Sequence, residues 1–166
     1  LPAPLCSAIA NAAMLHDLGR IGVPDHILQS SAPLTPEQAA IVRRVPLATC
    51  KILEPLRVFE TAIVIIRHLR ERYDGAGYPL GLAGAAIPIG SRLLAVAEAF
   101  ESLTTERPYR PAVDFAAALG RIRVAAGTQF DPQFTALLES VVATQGGRWL
   151  VRARRGRRSR DAARRR

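Results

Sequence analysis

Residues 16–25 read HDLGRIGVPD and lie at the end of an almost entirely small and apolar run over residues 7–18. Such a run predicts a buried helix, which we expect to end at Gly19, since glycine often terminates helices. A carboxylate near a helix C-terminus is electrostatically unfavourable, so Asp17 is expected to have a partner. The adjacent His16 offers an imidazole nitrogen, and such a pair suits a metal ion. A histidine satisfied in the core is an equally open alternative.

Helix signals recur along the rest of the chain. Thr35 precedes Pro36 and stands three residues before Gln38, which is the pattern of a capped helix start. Pro46 is expected to break the next helix into two pieces. We expect further helices over residues 36–44, 46–53, 58–72, 89–104, 114–126 and 131–146, with Gly- and Pro-rich loops over residues 19–34 and 74–88. Helices joined mostly by short links predict an all-α bundle.

Two of these helices have a recognisable apolar face. The β-branched run in residues 62–66 is also compatible with a strand, and the spacing of the apolar residues around it favours the helix. The expected face of the first helix is Phe59, Ile63, Ile66 and Leu69. The expected face of the second is Leu93, Val96, Ala97 and Phe100.

Charge divides the 166 residues into two parts. Ten of the 23 Lys and Arg residues and one of the 14 acidic residues lie in residues 148–166, which leaves 13 of each sign elsewhere. We therefore expect a neutral folded domain over residues 1–146 and a disordered Arg-rich tail over residues 147–166. The tail is expected at most to contact anionic surfaces non-specifically.

Composition also bears on the compartment. No run approaches the roughly 18 apolar residues that a membrane helix needs, and the first residues carry no signal-peptide pattern. Cys6 and Cys50 have no metal-binding spacing, so we expect reduced thiols and a cytoplasmic location. The first residue is not Met and lies close to an apolar helix, which indicates a fragment of a longer protein.

Three further groups could carry chemistry. Glycines surround Tyr78 in residues 71–79, ERYDGAGYP, which is either a simple turn or a backbone shaped to approach a ligand. Glu98 follows core-facing positions of its helix, and it is either a surface residue or a partly buried carboxylate that needs a cation. Arg107 and Arg110, on a turn stiffened by proline, are suited either to phosphate oxygens or to surface ion pairs.

Five blocks occur in order: HDLGRIGVPD, LTPEQ, ERYDGAGYPLGLAGAAIP, SRLLAVAEAFESLTTERPYRPA and GTQFDP. In this order and spacing they resemble the HD-GYP family over residues 8–142. The resemblance implies an HD-domain-like helical bundle with an extended GYP loop. It also implies a centre of two or three iron or manganese ions, and hydrolysis of the bacterial second messenger cyclic di-GMP.

The resemblance assigns roles to individual residues. His16 and Asp17 match the family's metal pair, with Asp17 catalytic if the domain is active, and Glu98 replaces a later Asp ligand. The matching GYP-loop residues are Asp74, Gly75, Gly77, Tyr78 and Pro79. The positions that the family associates with substrate contacts are Arg20, Tyr78, Arg107 and Arg110.

Departures from the family pattern fall on the metal site. Val45, Leu69 and Arg70 stand where the family has three histidines. Valine and leucine cannot donate to a metal, and arginine adds positive charge where cations should sit. His68 lies about 100° around a helix from position 69, so it is not expected to substitute. An earlier ligand-bearing helix of the family is also expected to be missing.

These departures favour a degenerate domain that binds cyclic di-GMP or a partner without efficient turnover, and that needs no metal. The alternatives are an active iron- or manganese-dependent phosphodiesterase and a nonfunctional remnant. We expect Arg70 to fill the vacated space and to pair with Asp17 or Glu98. The resemblance also implies a diguanylate-cyclase domain as a partner of the GYP loop.

Overall fold

The structure, a computed structural model, describes residues 1–30, 32–106 and 111–144. Within these ranges the chain forms α-helices and short 3₁₀ turns without any strand, which confirms the all-α prediction. The helices are α1 (Ala3–Leu15), α2 (Asp25–Leu28), α3 (Pro36–Arg43), α4 (Val45–Leu53), α5 (Glu60–Arg67), α6 (Ile89–Thr104), α7 (Phe115–Val124) and α8 (132–144). The 3₁₀ turns are Leu18–Gly22, Arg57–Phe59 and Gly84–Ala86. No helix in the described ranges is long and apolar enough to cross a membrane.

The first half of the chain packs around α5. Ile65 and Ile66 of this helix are almost completely buried against α1, α4 and α6. On α1 the buried residues are Ala8 and Ala12, whose small side chains let the two helices approach closely. Burial of a side chain as large as isoleucine stabilises a fold by about 1.5–3 kcal/mol. The predicted apolar face of this segment is confirmed.

A second core lies between α6, α7 and α8. Val96 and Phe100 of α6 pack with Ile122 of α7 and Phe134 of α8. The prediction that Ala97 belongs to this face is wrong, because Ala97 is exposed. Since Leu94 of the same helix faces the first core, α6 joins the two cores. A side-chain ion pair between Arg92 and Asp131, 2.6 Å long and mostly buried, ties α6 to the start of α8.

The predicted capping at Thr35 is confirmed, and a second helix start is also capped. The Thr35 hydroxyl accepts a hydrogen bond from the backbone N–H of Gln38. The Gln38 side-chain oxygen accepts one from the backbone N–H of Thr35, which completes the capping box. Asp114 caps α7 by accepting from Ala117 N–H at 2.7 Å. Pro46 stands in the first turn of α4, so it starts a new helix where the preceding one ends.

Two predicted helix ends are wrong. Helix α1 spans Ala3–Leu15 rather than 7–18, and the His-Asp pair lies in the turn that follows it. Helix α5 ends at Arg67, before the predicted residue 72. Beyond this helix, the N–H groups of Tyr73 and Asp74 donate to carbonyls of the α7–α8 connection. Most of the predicted turn at residues 107–111 lies outside the described residues. The predicted end of the last helix and the Arg-rich tail lie entirely outside them.

Gly19 has a tertiary role instead of ending a helix. A Cβ at this position would collide with the Val45 carbonyl oxygen and lie 2.7 Å from Thr49 N. The fully buried Thr49 hydroxyl accepts from Gly19 N–H at 2.8 Å, and it lies within donor distance of the His16 and Val45 carbonyls. The turn after α1 is therefore held directly against α4.

We expect Gly19→Ala to lower the free energy of unfolding by about 1–3 kcal/mol, because the added methyl group overpacks the contact with α4. Gly22→Ala is the matched control, since a Cβ there meets nothing within 4 Å. Urea denaturation followed by circular dichroism measures both. Equal losses in the two variants would contradict the close approach at Gly19.

Candidate functional site

The His-Asp pair opens a cluster of charged side chains at the end of α1. His16 Nδ1 lies 2.9 Å from the Ala13 carbonyl oxygen and donates to it, because a carbonyl oxygen only accepts. His16 Nε2 then faces Asp17 Oδ1 at 3.6 Å and Glu98 Oε1 at 4.0 Å. The structure thus brings together the three residues predicted as residual metal ligands.

Both carboxylates of this cluster are paired with guanidinium groups. Arg20 Nε lies 2.9 Å from Asp17 Oδ1, and Arg70 Nη2 lies 2.7 Å from Glu98 Oε1. The predicted pairing of Arg70 is confirmed, with Glu98 as its partner. A partly buried carboxylate is costly without counter-charge, and these contacts supply it.

The positions where the family resemblance places histidines are apolar or cationic here. Val45 and Leu69 are buried, with 7% and 3% of their surface exposed. His68, which was predicted not to substitute for a ligand at position 69, lines neither cleft described below, and its Nδ1 lies 3.6 Å from Glu71 Oε1. Among the described residues this His68 nitrogen is a buried polar atom without a hydrogen bond.

Two clefts meet at Arg70. The HD cleft, of about 570 Å³, extends from His16 and Arg20 to apolar residues of α2, α3 and α4. The α7 cleft, of about 480 Å³, lies between α6, α7 and the loop that carries Tyr78. Both clefts are lined by Leu69, Arg70 and Tyr78, so they adjoin at the Arg70 side chain.

The GYP loop (residues 74–88) is anchored by a residue whose role the sequence did not reveal. The Glu71 side chain is fully buried, and its two oxygens accept from Leu80 N–H at 2.8 Å and Leu82 N–H at 3.1 Å. Gly77 passes so close to the backbone of residues 71–72 that a Cβ would collide with Arg72 N. The sequence did contain a signal for this role. Glu71 stands just before a Gly-rich loop, and a carboxylate at such a position can accept hydrogen bonds from the backbone amides of the loop.

Tyr78 has one contact through its backbone and another through its ring. Its N–H donates to the Arg70 carbonyl at 3.1 Å, and the Tyr78–Pro79 peptide bond is cis. The Arg43 guanidinium lies 5.8 Å from the centre of the Tyr78 ring, a cation–π distance. The sequence analysis did not identify Arg43, because its partner lies 35 residues further along the chain. The predicted phosphate contacts Arg107 and Arg110 lie outside the described residues.

Asp74 shapes the start of the same loop. Its carboxylate accepts from Arg72 at 2.6 and 3.1 Å and from Ala76 N–H at 3.0 Å. The Arg72 hydrogen bonds, followed by the one from Ala76, lower the pKa of the Asp74 carboxyl below its ordinary value. The hydrogen bonds to Asp74 raise the pKa of Arg72 in turn.

The residues present do not fit the centre of two or three metal ions that the resemblance implies. Such a centre needs several nitrogen and oxygen donors converging on each ion. Among the described residues no group of three or more His, Cys, Asp and Glu side chains is arranged to hold a metal ion. The Arg70 guanidinium is paired with the Glu98 carboxylate of the cluster. A guanidinium has no lone pair to donate to a metal.

A helical fold with adjacent His and Asp at the mouth of a cleft defines an HD-type domain. A sequence profile described as "HD domain" matches residues 1–134. The chain therefore belongs to the HD domain family.

Relatives and solved structures agree with this assignment. The cyclic di-GMP phosphodiesterase response regulator RpfG of Xanthomonas campestris pv. campestris is 39% identical over 128 residues, covering 75% of this chain and 34% of the relative. The 3'3'-cGAMP-specific phosphodiesterase 3 of Vibrio cholerae is 33% identical over 134 residues, covering 81% of this chain and 29% of the relative. This chain thus spans about a third of the length of the curated relatives it matches.

The fold is shared with Bd1817, an HDG"Y"P protein from Bdellovibrio bacteriovorus. The TM-score is 0.64 at 23% sequence identity, and the match covers 82% of this chain and 43% of that chain. The resemblance to HD-GYP proteins is confirmed for family and fold.

We expect Arg72→Ala to raise the pKa of Asp74 toward its ordinary value, because it removes the largest cause of the depression. The stabilisation from this pair is complete above the ordinary pKa of an aspartate and is lost as the pH falls through the lowered pKa. Titration of the carboxyl carbons by NMR measures the change. Arg123→Ala is the control, since Arg123 pairs only loosely with Glu139 at 4.0 Å. An Asp74 pKa that is the same in both variants would contradict the assignment.

Proposed function

We propose that this domain binds a cyclic dinucleotide in a signalling protein without hydrolysing it efficiently. The observation that carries the proposal is the 2.7 Å contact between Arg70 and Glu98 where the two clefts meet. A fixed guanidinium there favours binding of a phosphate and disfavours the assembly of a metal centre.

Phosphate binding is supported by donors that the ion pairs leave free. Arg70 contacts Glu98 through one terminal nitrogen, and Arg20 contacts Asp17 through Nε. The other nitrogens of these two groups have no hydrogen-bond partner among the described residues. A guanidinium fork can hold a carboxylate on one edge and a phosphate on the other, because it carries five N–H donors. Tyr78, which lines both clefts, adds a hydroxyl group.

The ligand class is supported by the relatives. The two relatives described above are named as phosphodiesterases of cyclic di-GMP and of 3'3'-cGAMP, which are both cyclic dinucleotides. Two adjoining clefts of about 570 and 480 Å³ suit a ligand with two nucleoside halves.

Weak turnover is supported by the chemistry of the cluster. Hydrolysis of a phosphodiester at neutral pH is commonly driven by a metal-bound hydroxide. Val45 and Leu69 contribute no donor to the cluster, and Arg70 places a positive charge beside Glu98. A cation could bind there only by displacing that guanidinium.

The second candidate is an active iron- or manganese-dependent phosphodiesterase. One observation favours it: His16 Nε2 lies within 4.0 Å of carboxylate oxygens of both Asp17 and Glu98. In this case His16, Asp17 and Glu98 would hold a metal after Arg70 had moved away, and the metal would supply the hydroxide.

The GYP loop is also a candidate surface for a protein partner. Leu80 is 67% exposed at its tip, and the Glu71 hydrogen bond holds its backbone in place. A diguanylate-cyclase domain remains the predicted partner. The Arg-rich tail remains predicted to contact anionic surfaces, and the cytoplasmic location is likewise a prediction.

The two candidates differ in metal content and turnover. We expect the protein purified from iron- and manganese-supplemented medium to hold less than one metal ion per chain by mass spectrometry. We also expect it to leave cyclic di-GMP intact while the Xanthomonas relative, assayed in parallel, converts it. Metal-dependent conversion at a rate comparable to that of the relative would overturn the proposal in favour of the second candidate.

Binding tests the first candidate directly. We expect Arg20→Ala and Arg70→Ala each to weaken cyclic di-GMP binding about tenfold or more, because a hydrogen bond to a charged group contributes about 1.5–3 kcal/mol. Isothermal titration calorimetry measures the affinities. Arg123→Ala, on the exposed side of α7, is the control and should bind as the wild type does. Wild-type protein that binds neither cyclic di-GMP nor 3'3'-cGAMP would refute ligand binding altogether.

A further inference from the structure

The α7 cleft holds two polar side chains that the proposed function does not yet use. Arg121, on α7, and Gln129, in the α7–α8 connection, both line this cleft. Neither side chain has a hydrogen-bond or ion-pair partner among the described residues. Arg121 differs in this respect from Arg70 and Arg72, which both contact carboxylates.

Part of the α7 cleft is lined by apolar side chains. Ile122 and Phe130 are among them, with 2% and 6% of their surface exposed, and Leu103 of α6 is another. An apolar surface with a few polar groups at its rim is typical of sites for flat heterocycles. The acidic groups nearby are already engaged, since Glu71 accepts backbone amides and Glu98 contacts Arg70.

We propose that the α7 cleft binds one guanine base and that Arg121 is the residue that selects it. The inference rests on the proposed cyclic-dinucleotide function and extends it to base specificity. In this arrangement Arg70 holds the phosphate at the junction of the clefts. One nucleoside lies in the α7 cleft and the other lies in the HD cleft.

Guanine is preferred because of the hydrogen-bonding groups on its edge. It presents two adjacent acceptors, O6 and N7, which match the paired donors of a guanidinium. Adenine presents an acceptor beside an amino donor, and an arginine has no acceptor to receive that donor. Arg121 therefore discriminates between the two purines, whereas Arg20 and Arg70 act on phosphates that all cyclic dinucleotides share.

The test compares ligands that differ only in their bases. Calorimetry is performed with cyclic di-GMP, 3'3'-cGAMP and cyclic di-AMP on the wild type, Arg121→Ala and Arg121→Lys. Arg123→Ala is the matched control, because it lies on the same helix, its side chain is 73% exposed, and it does not line the cleft. Thermal unfolding of each variant confirms that α7 stays folded.

We expect Arg121→Ala to weaken cyclic di-GMP binding about tenfold or more and to leave cyclic di-AMP binding almost unchanged, so that the preference for guanine collapses. Arg121→Lys should restore only part of the preference, because an ammonium group cannot form the paired contact. Arg123→Ala should match the wild type.

Three results would overturn the inference. If Arg121→Ala lost the same amount of affinity for all three ligands, Arg121 would contact a phosphate rather than a base. Wild-type binding by Arg121→Ala, while Arg20→Ala and Arg70→Ala are impaired, would remove Arg121 from the site and leave the proposed function standing. Failure of the wild type to bind any of the three ligands would refute the inference and the proposed function together.

Discussion

The partly buried carboxylates of Asp17 and Glu98 require counter-charge, and the rest of the site depends on how it is supplied. Two guanidinium groups provide it here, through contacts of 2.9 and 2.7 Å. An ion of this shape neutralises the carboxylates without needing the convergent donors of a metal centre. Because Arg70 reaches Glu98 across the site, its side chain lies where the HD cleft and the α7 cleft adjoin. The same contact thus sets both the electrostatics and the shape of the site.

Two buried polar side chains hold the backbone around this cluster. Thr49, inside α4, bonds to the turn that carries His16, and Glu71 bonds to two amides of the GYP loop. Groups of this kind are stabilising only when their hydrogen bonds are satisfied, and both are. Gly19 and Gly77 belong to the same arrangement, since each lies against backbone atoms where a Cβ does not fit. The loops that line the clefts are therefore fastened to the helical core.

Local signals accounted for much of the fold, and they failed where long-range contacts prevailed. The capping box at Thr35, the new helix at Pro46 and the span of α6 are all determined by neighbouring residues. The end of α5 was predicted too late, and the segment that follows it bonds to the distant α7–α8 connection through the amides of Tyr73 and Asp74. Gly19 was assigned to a helix end, whereas its neighbour in space is Thr49, 30 residues away. Hydrogen bonds of this range leave no periodic pattern in the sequence.

By itself the sequence determined the all-α class, the family, and the loss of three histidine positions, because these depend on residue type and order. It also predicted that Arg70 needs a carboxylate, since a cation that replaces metal ligands is left beside acidic residues. Only the tertiary structure decided that this carboxylate is Glu98, which lies 28 residues away on α6. It also decided that Arg43 contacts Tyr78 and that Arg121 lines the same cleft as Arg70. The reason is that the packing of elements distant in sequence sets these distances, and helix packing is a property of whole faces rather than of local sequence.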